Sequence, residues 1–329
     1  LYATCLGVMV IMGWSLHSTI LLFTVVSILF IAFGGIKAVV WAGTWQAIFF
    51  VLAALALITY LLMHIHGGIT EAYIASQAGR LSMFNFRFEL NNPTTFWAGT
   101  ANGFFVGLTA FGTDQEMVQR LLTVETRKIS QRTILSTIFT VLPVYWMYLL
   151  VGTLLFVYFQ QNPALPLPSE EKEILPFFAT RYLPSGLKGL VLGAIIMASI
   201  DSPLSSLTSS FVSDIYRPLI RKNAGEKHYL LISRLGVVGF GMLLAGIAFL
   251  CTPVQNILWF AFQILSITGG PMLGVFLLGL ITKTKVNRIN ILTMLFSTAV
   301  TIPMLILIYK KQLNLGWSWL IVIGTVITF

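Results

Sequence analysis

The sequence predicts an all-α protein that crosses a membrane many times, and three observations lead there. The 329 residues are 57% hydrophobic and only 9% charged, against about 25% charged in an ordinary soluble domain. Apolar stretches of about 20 residues, the length that spans a bilayer's hydrocarbon core, recur with short polar breaks between them. In lipid every backbone N–H and C=O needs a partner inside its own segment, and stretches this long exceed barrel strands, so each is expected to be helical.

Ten segments are expected: 16–35, 37–63, 97–119, 131–159, 186–213, 229–251, 254–281 and 287–309, with 1–13 and 316–329 partial because the sequence opens and closes inside apolar runs. Basic residues gather in three breaks, around Arg120, Arg127, Lys128 and Arg132, around Arg217, Arg221, Lys222 and Lys227, and around Lys283, Lys285 and Arg288. Two crossings separate each break from the next, so all three share one side, and a Lys/Arg excess marks the cytoplasmic side. Loops 114–130, 214–228 and 282–288 are therefore expected inside, and 64–96 and 160–185 outside. This placement accounts for the net charge of +9 without any nucleic-acid partner. In the second outer loop a Pro- and Glu-rich stretch runs into EILPFFATRYL, whose amphipathic spacing predicts a short surface helix. Residues 69–80 are a second candidate for such a helix.

Several chemistries are excluded. Cys5 and Cys251 are the only thiols, so neither a disulfide framework nor a cysteine metal cluster is expected. His64 and His66 are two apart and do not stack on a helix face, and no acidic or thiol ligands accompany them. No nucleotide-binding glycine motif and no nucleophile–base pair is visible, which argues against an ATP-driven engine, an enzyme or a cofactor. Trp41, Trp45, Trp97, Trp146, Trp259, Trp317 and Trp319 fall mostly near segment ends, as interfacial aromatic belts do.

Asp201 is the one acidic residue well inside an apolar segment. A carboxylate there costs roughly 2.5–3.5 kcal/mol on insertion scales and marks a functional site unless it is merely paired with a buried cation or amide. It sits in GAIIMASIDSPLSSLTSSFVSDIYRP, where Ser199, Ser202, Ser205, Ser206 and Thr208 crowd into a few turns. On a continuous helix these hydroxyls cover about half the circumference. They are either helix-packing glue or an oxygen-lined surface for a hard cation. Pro203 has no amide hydrogen, so the carbonyl of Ser199 loses its helical donor, and a freed carbonyl beside a hydroxyl and a carboxylate suits Na⁺. In FWAGTANGFFVGLTAFGTDQE the glycines 99, 103, 107 and 112 permit either close helix approach or an unwound stretch. Ser266, Thr268, Gly269, Gly270 and Pro271 make the segment 254–281 a second candidate for interruption.

With GTDQEMVQRLLT (112–123), GLKGLVLGAIIMASIDSPLSSLTSSFVSDIYRP (186–218), ITGGPMLGVFLLGL (267–280) and GGIKAVVWAGTWQ (34–46) in order and spacing, the sequence resembles the sodium:solute symporter family. The resemblance implies a leucine-transporter-type fold of two inverted five-helix repeats, with the first core helices lying outside this sequence, 1–63 the remainder of the first repeat, 97–281 the second, and 287–329 peripheral helices. It implies a sodium site using the carbonyls of Ile195 and Ala198 and the hydroxyl of Ser199. The position of Ala198 commonly holds a hydroxyl residue in the family. Some members place a second sodium next door with an acid on the fifth core helix; here that position is Gly43, while Asp201 and Ser202 occupy the facing positions. The carboxylate is thus expected to have moved across the interface to Asp201, with Ser205 completing the set.

By position in the resembled fold, Leu108, Thr109, Phe111, Phe262, Gln263 and Ser266 are the expected solute contacts. Ala110 stands where sugar-carrying relatives have an aromatic gate. The expected function is sodium-coupled symport of a small organic solute across a plasma membrane. A membrane sensor or channel-like module on the same scaffold, or a proton-coupled amino-acid carrier, are the alternatives.

Overall fold

The computed structural model describes residues 2–68, 70, 84–168, 170–199, 203–252, 254, 256–282 and 288–329, with the backbone alone for Ala3, Ile36, Lys37 and Ser199. The helices are α1 (Tyr2–Met12), α2 (Leu16–His64), α3 (Phe96–Gly112), α4 (Gln115–Leu121), α5 (Arg127–Gln161), α6 (Ile174–Arg181), α7 (Ser185–Ser199), α8 (Pro203–Ser210), a π-helical segment (Phe211–Ile220), α9 (Glu226–Leu250), α10 (Ile257–Ile281), α11 (Arg288–Tyr309) and α12 (Leu320–Thr328). Among the described residues this is an all-α protein.

Among the described residues, seven stretches are long and apolar enough to cross a membrane: Leu16–Gly35, Ala38–His64, Arg127–Gln161, Ser185–Ile220, Glu226–Leu250, Ile257–Ile281 and Arg288–Tyr309. In Arg127–Gln161 only 6% of the most apolar window is buried by protein, so that surface needs a non-aqueous neighbour. Helix starts are chemically marked. Ser15, Thr95, Thr126 and Asn256 each accept a hydrogen bond from an amide three residues on, capping α2, α3, α5 and α10.

The chain divides into two compact units, Leu1–Leu81 with Gln119–Gln255, and Ser82–Val118 with Asn256–Phe329. In the first, Ala53, Leu57 and Leu61 of α2 pack with Val151 and Leu154 of α5, Phe178 of α6, and Val191 and Ala194 of α7. The expected helix after the acidic loop is α6, and its Phe178 is fully buried in this core. The Tyr60 hydroxyl donates to the carbonyl of Tyr182 at 2.6 Å, tying α2 to the chain just beyond α6. A smaller core joins Ile31 and Val39 of α2 to Leu204 of α8 and Val237 of α9. Between the two halves of α2 lies Gly35, at φ 60° and ψ −166°, a conformation essentially reserved to glycine.

In the second unit α10 packs against α12 so closely that a Cβ on Gly270 would lie 2.7 Å from the Ile321 carbonyl oxygen, and one on Gly274 would lie 2.7 Å from that of Thr325. The Ser297 hydroxyl of α11 donates to the Gly324 carbonyl at 2.9 Å. Neither glycine-rich segment unwinds where the sequence suggested. α10 runs unbroken through Gly269, Gly270 and Pro271, and α3 runs unbroken through Gly99, Gly103 and Gly107, stopping only at Thr113–Asp114. In α10 the glycines serve close approach; those three of α3 have nothing within 4 Å of where a Cβ would stand.

Candidate sodium and solute sites

The described residues carry α7 as far as Ser199 and α8 from Pro203 onward, within one apolar stretch, Ser185–Ile220. Asp201, Ser202 and the Ser199 side chain lie outside the described residues. Ile195 and Ala198 are half-buried. They line a cavity of about 740 Å³ with Gly7 of α1, Ala47 and Leu57 of α2, and Tyr148 of α5. Small residues make the approach possible: a Cβ on Gly7 would stand 3.2 Å from Ile195, and one on Gly193 3.2 Å from Phe49. This stretch of α7 thus borders a half-open cavity. Most of the lining is aliphatic or aromatic, with Lys172, Tyr145 and Tyr148 adding polar groups.

Ser205 stands elsewhere. It is half-buried on α8 and lines a second cavity, of about 370 Å³, with Thr208, Ser209, Arg217 and Arg234. The structure does not bring Ser205 into the cavity that Ile195 and Ala198 share.

The six solute candidates all lie in the second unit. Thr109 is buried on α3, donates to the Phe105 carbonyl at 2.9 Å, and stands beside Gly269, whose Cβ would come 3.1 Å from its methyl. Leu108 and Phe111 are half-buried on the same helix. On α10, Ser266 is fully buried and donates to the Phe262 carbonyl at 2.8 Å. Phe262 stacks on Trp317 with ring centroids 6.4 Å apart. Gln263 is buried, and its side-chain oxygen accepts from the Tyr309 hydroxyl. Within this unit Thr109 and Ser266 turn their hydroxyl hydrogens to their own helix, while Gln263 is engaged by α11.

The model of the family described as "Sodium:solute symporter family" matches residues 3–295. The chain belongs to the sodium:solute symporter family. It is 30% identical over 302 residues to the sodium/sialic acid symporter SiaT of Proteus mirabilis, covering 86% of this chain and 58% of that protein. It is 29% identical to the sodium/sialic acid symporter NanT of Aliivibrio fischeri, covering 98% and 64%, and 29% identical to the sodium-dependent multivitamin transporter of Oryctolagus cuniculus, covering 85% and 45%. A solved structure described as the substrate-bound outward-open state of a Na⁺-coupled sialic acid symporter superposes with a TM-score of 0.85 at 25% identity, over 99% of this chain and 68% of that one. This symporter-family chain therefore has the leucine-transporter-type helical fold, and it spans about 58–64% of the length of the two sialic acid symporters it matches.

Two features of this family member escaped the sequence reading. The link from Tyr309 to Gln263 joins residues 46 apart and left no local signal. The meeting of Arg217 and Arg234 at one cavity did leave one: Arg234 is a fixed cation inside the apolar segment 229–251, where a charge is costly.

Proposed function

We propose that the full protein of which this chain is part is a sodium-coupled symporter of a small organic solute in a plasma membrane. The reading is carried by one observation: in a sodium:solute symporter fold, the helix segment expected to offer carbonyls to sodium lines a cavity with Ile195 and Ala198. Sodium is held by the carbonyls of Ile195 and Ala198 and the hydroxyl of Ser199. Asp201 and Ser202 supply the remaining oxygens and the neutralising charge. Leu108, Thr109, Phe111, Phe262, Gln263 and Ser266 contact the solute. Residues 1–63 belong to the first inverted repeat, 97–281 to the second and 287–329 to peripheral helices; loops 114–130, 214–228 and 282–288 face the cytoplasm. Relatives are named for sialic acid and for monocarboxylates, so organic acids head the solutes to test.

Coupling requires sodium to bind the outward-open state more tightly than the inward-open one, since equal affinity shifts nothing. The deciding experiment is uptake of a panel of organic acids into proteoliposomes carrying the full-length protein, with a sodium gradient or with choline, for wild type and Asp201→Asn. Accumulation that needs sodium and falls in the variant is the expected result. Undiminished uptake in choline would overturn sodium coupling in favour of a proton-coupled carrier. No transport of any solute, with sodium leaving the protein's stability unchanged, would favour a sensor or channel-like module.

A further inference from the structure

The second cavity carries an inference of its own. Two guanidinium groups and six hydroxyl side chains line it: Arg217 and Ser213 from the π-helical segment, Arg234, Ser233 and Tyr229 from α9, and Ser205, Thr208 and Ser209 from α8. Among the described residues neither arginine is paired with a carboxylate. Each lies instead over an aromatic ring, the Arg217 Cζ 5.5 Å from the Tyr229 centroid and the Arg234 Cζ 5.6 Å from that of Phe33. Tyr229 is itself anchored, donating to the Arg221 carbonyl at 2.6 Å and accepting from the Ala224 amide at 3.3 Å. The ring contacts hold the two side chains while leaving their N–H groups uncommitted to any acid among the described residues. Thr208 is 4% exposed and its hydroxyl oxygen, though buried, has no hydrogen-bond partner.

We propose that this cavity binds a phosphate group, carried by the headgroup of an anionic phospholipid. Guanidinium forks suit tetrahedral oxyanions, which accept several charge-assisted hydrogen bonds at once, and hydroxyls supply further donors. About 370 Å³ is far more room than a halide fills. The lip of the cavity argues for a lipid as carrier. Phe33 is 76% exposed at the end of the apolar span Leu16–Gly35, so Arg234 lies against an exposed apolar ring. Arg221, Lys222 and Lys227 in the adjoining loop add positive potential of the kind that gathers anionic lipids. The cavity also touches both irregular backbones of this unit, the kink at Gly35 and the π-helical segment. A bound headgroup therefore bridges α9 to a segment of strained winding and resists its rearrangement.

The test uses the purified full-length protein in detergent. Binding of phosphatidylglycerol and of phosphatidylcholine is measured by native mass spectrometry for wild type, Arg217→Gln/Arg234→Gln and Arg217→Lys/Arg234→Lys. The glutamine variant is expected to lose about tenfold or more in phosphatidylglycerol affinity, with phosphatidylcholine unaffected and the lysine variant in between. A second measurement does not depend on any variant folding: inorganic phosphate should displace a fluorescent phosphatidylglycerol from wild type at concentrations where chloride of equal ionic strength does not. Displacement by phosphate together with a stabilisation by phosphate alone, in lipid-free detergent, would assign the same site to the free anion. Equal phosphatidylglycerol binding by wild type and the glutamine variant, or equal displacement by phosphate and chloride, would overturn the proposal.

Discussion

The Tyr309 hydroxyl at the end of α11 donates its hydrogen bond to the side-chain oxygen of Gln263 on α10. Gln263 is only 8% exposed, so this amide relies on protein partners, and a buried acceptor deprived of its donor costs about 1–3 kcal/mol. Tyr309→Phe removes the hydroxyl and little else. It is expected to destabilise the protein by about 1–2 kcal/mol, read as a lowered midpoint of thermal unfolding in detergent. If Gln263 also contacts solute, the same variant raises KM for uptake more than it lowers kcat, because the freed amide no longer holds one orientation.

The close approach of α10 to α12 sets a second contrast. Alanine at Gly274 would put a methyl 2.7 Å from both the Thr325 carbonyl oxygen and the Thr328 side chain. Backbone cannot step aside as a flexible side chain can, so Gly274→Ala is expected to cost about 1–3 kcal/mol. Gly103→Ala on α3 meets nothing within 4 Å and should be neutral or stabilising by up to about 1 kcal/mol through helix propensity alone. Parallel unfolding curves check both signs. Lost uptake in Gly103→Ala with stability intact would show that the bare face of α3 is kept for solute passage.

Gly35 gives a third. At φ 60° and ψ −166° a side chain is strained wherever it points, at a cost of about 1–3 kcal/mol. Gly35→Ala should lower stability by that amount even though its Cβ would meet no neighbour within 4 Å. Straightening of α2 would be reported by a pair of spin labels placed at exposed positions of its two halves, such as Leu22 and Leu55.

Much of this was legible in the sequence. Segment lengths gave the helices, because an apolar stretch in lipid has few alternatives. EILPFFATRYL marked α6, whose Phe178 is buried. Placing Ser205 with Ile195 and Ala198 relied on one continuous helical phase through Asp201. Residues 200–202 lie outside the described residues, and Ser205 lines another cavity than Ile195 and Ala198 do. The glycines of α3 and α10 look alike in sequence. What distinguishes them is whether another backbone lies opposite, and that is set by tertiary packing.

The last prediction concerns the acidic loop between α5 and α6, where Lys172 pairs with Glu170 at 2.6 Å. The hydrogen bond to Glu170 raises the Lys172 pKa above the usual lysine range, with Tyr2 adding to the effect and partial burial opposing it. A raised lysine pKa means that the folded state holds its proton more tightly than the unfolded chain. The resulting stability is fully present below the ordinary lysine pKa and is lost as pH rises through the raised one. Because the Glu170 side chain is 51% exposed, solvent screening holds the pair to about 0.2–1 kcal/mol. Glu170→Gln should therefore cost a few tenths of a kcal/mol near neutral pH, and the gap from wild type should close on the alkaline side. Denaturant unfolding from neutral to strongly alkaline pH measures that gap, and one that stays constant or widens with rising pH would show that the ion pair is not its source.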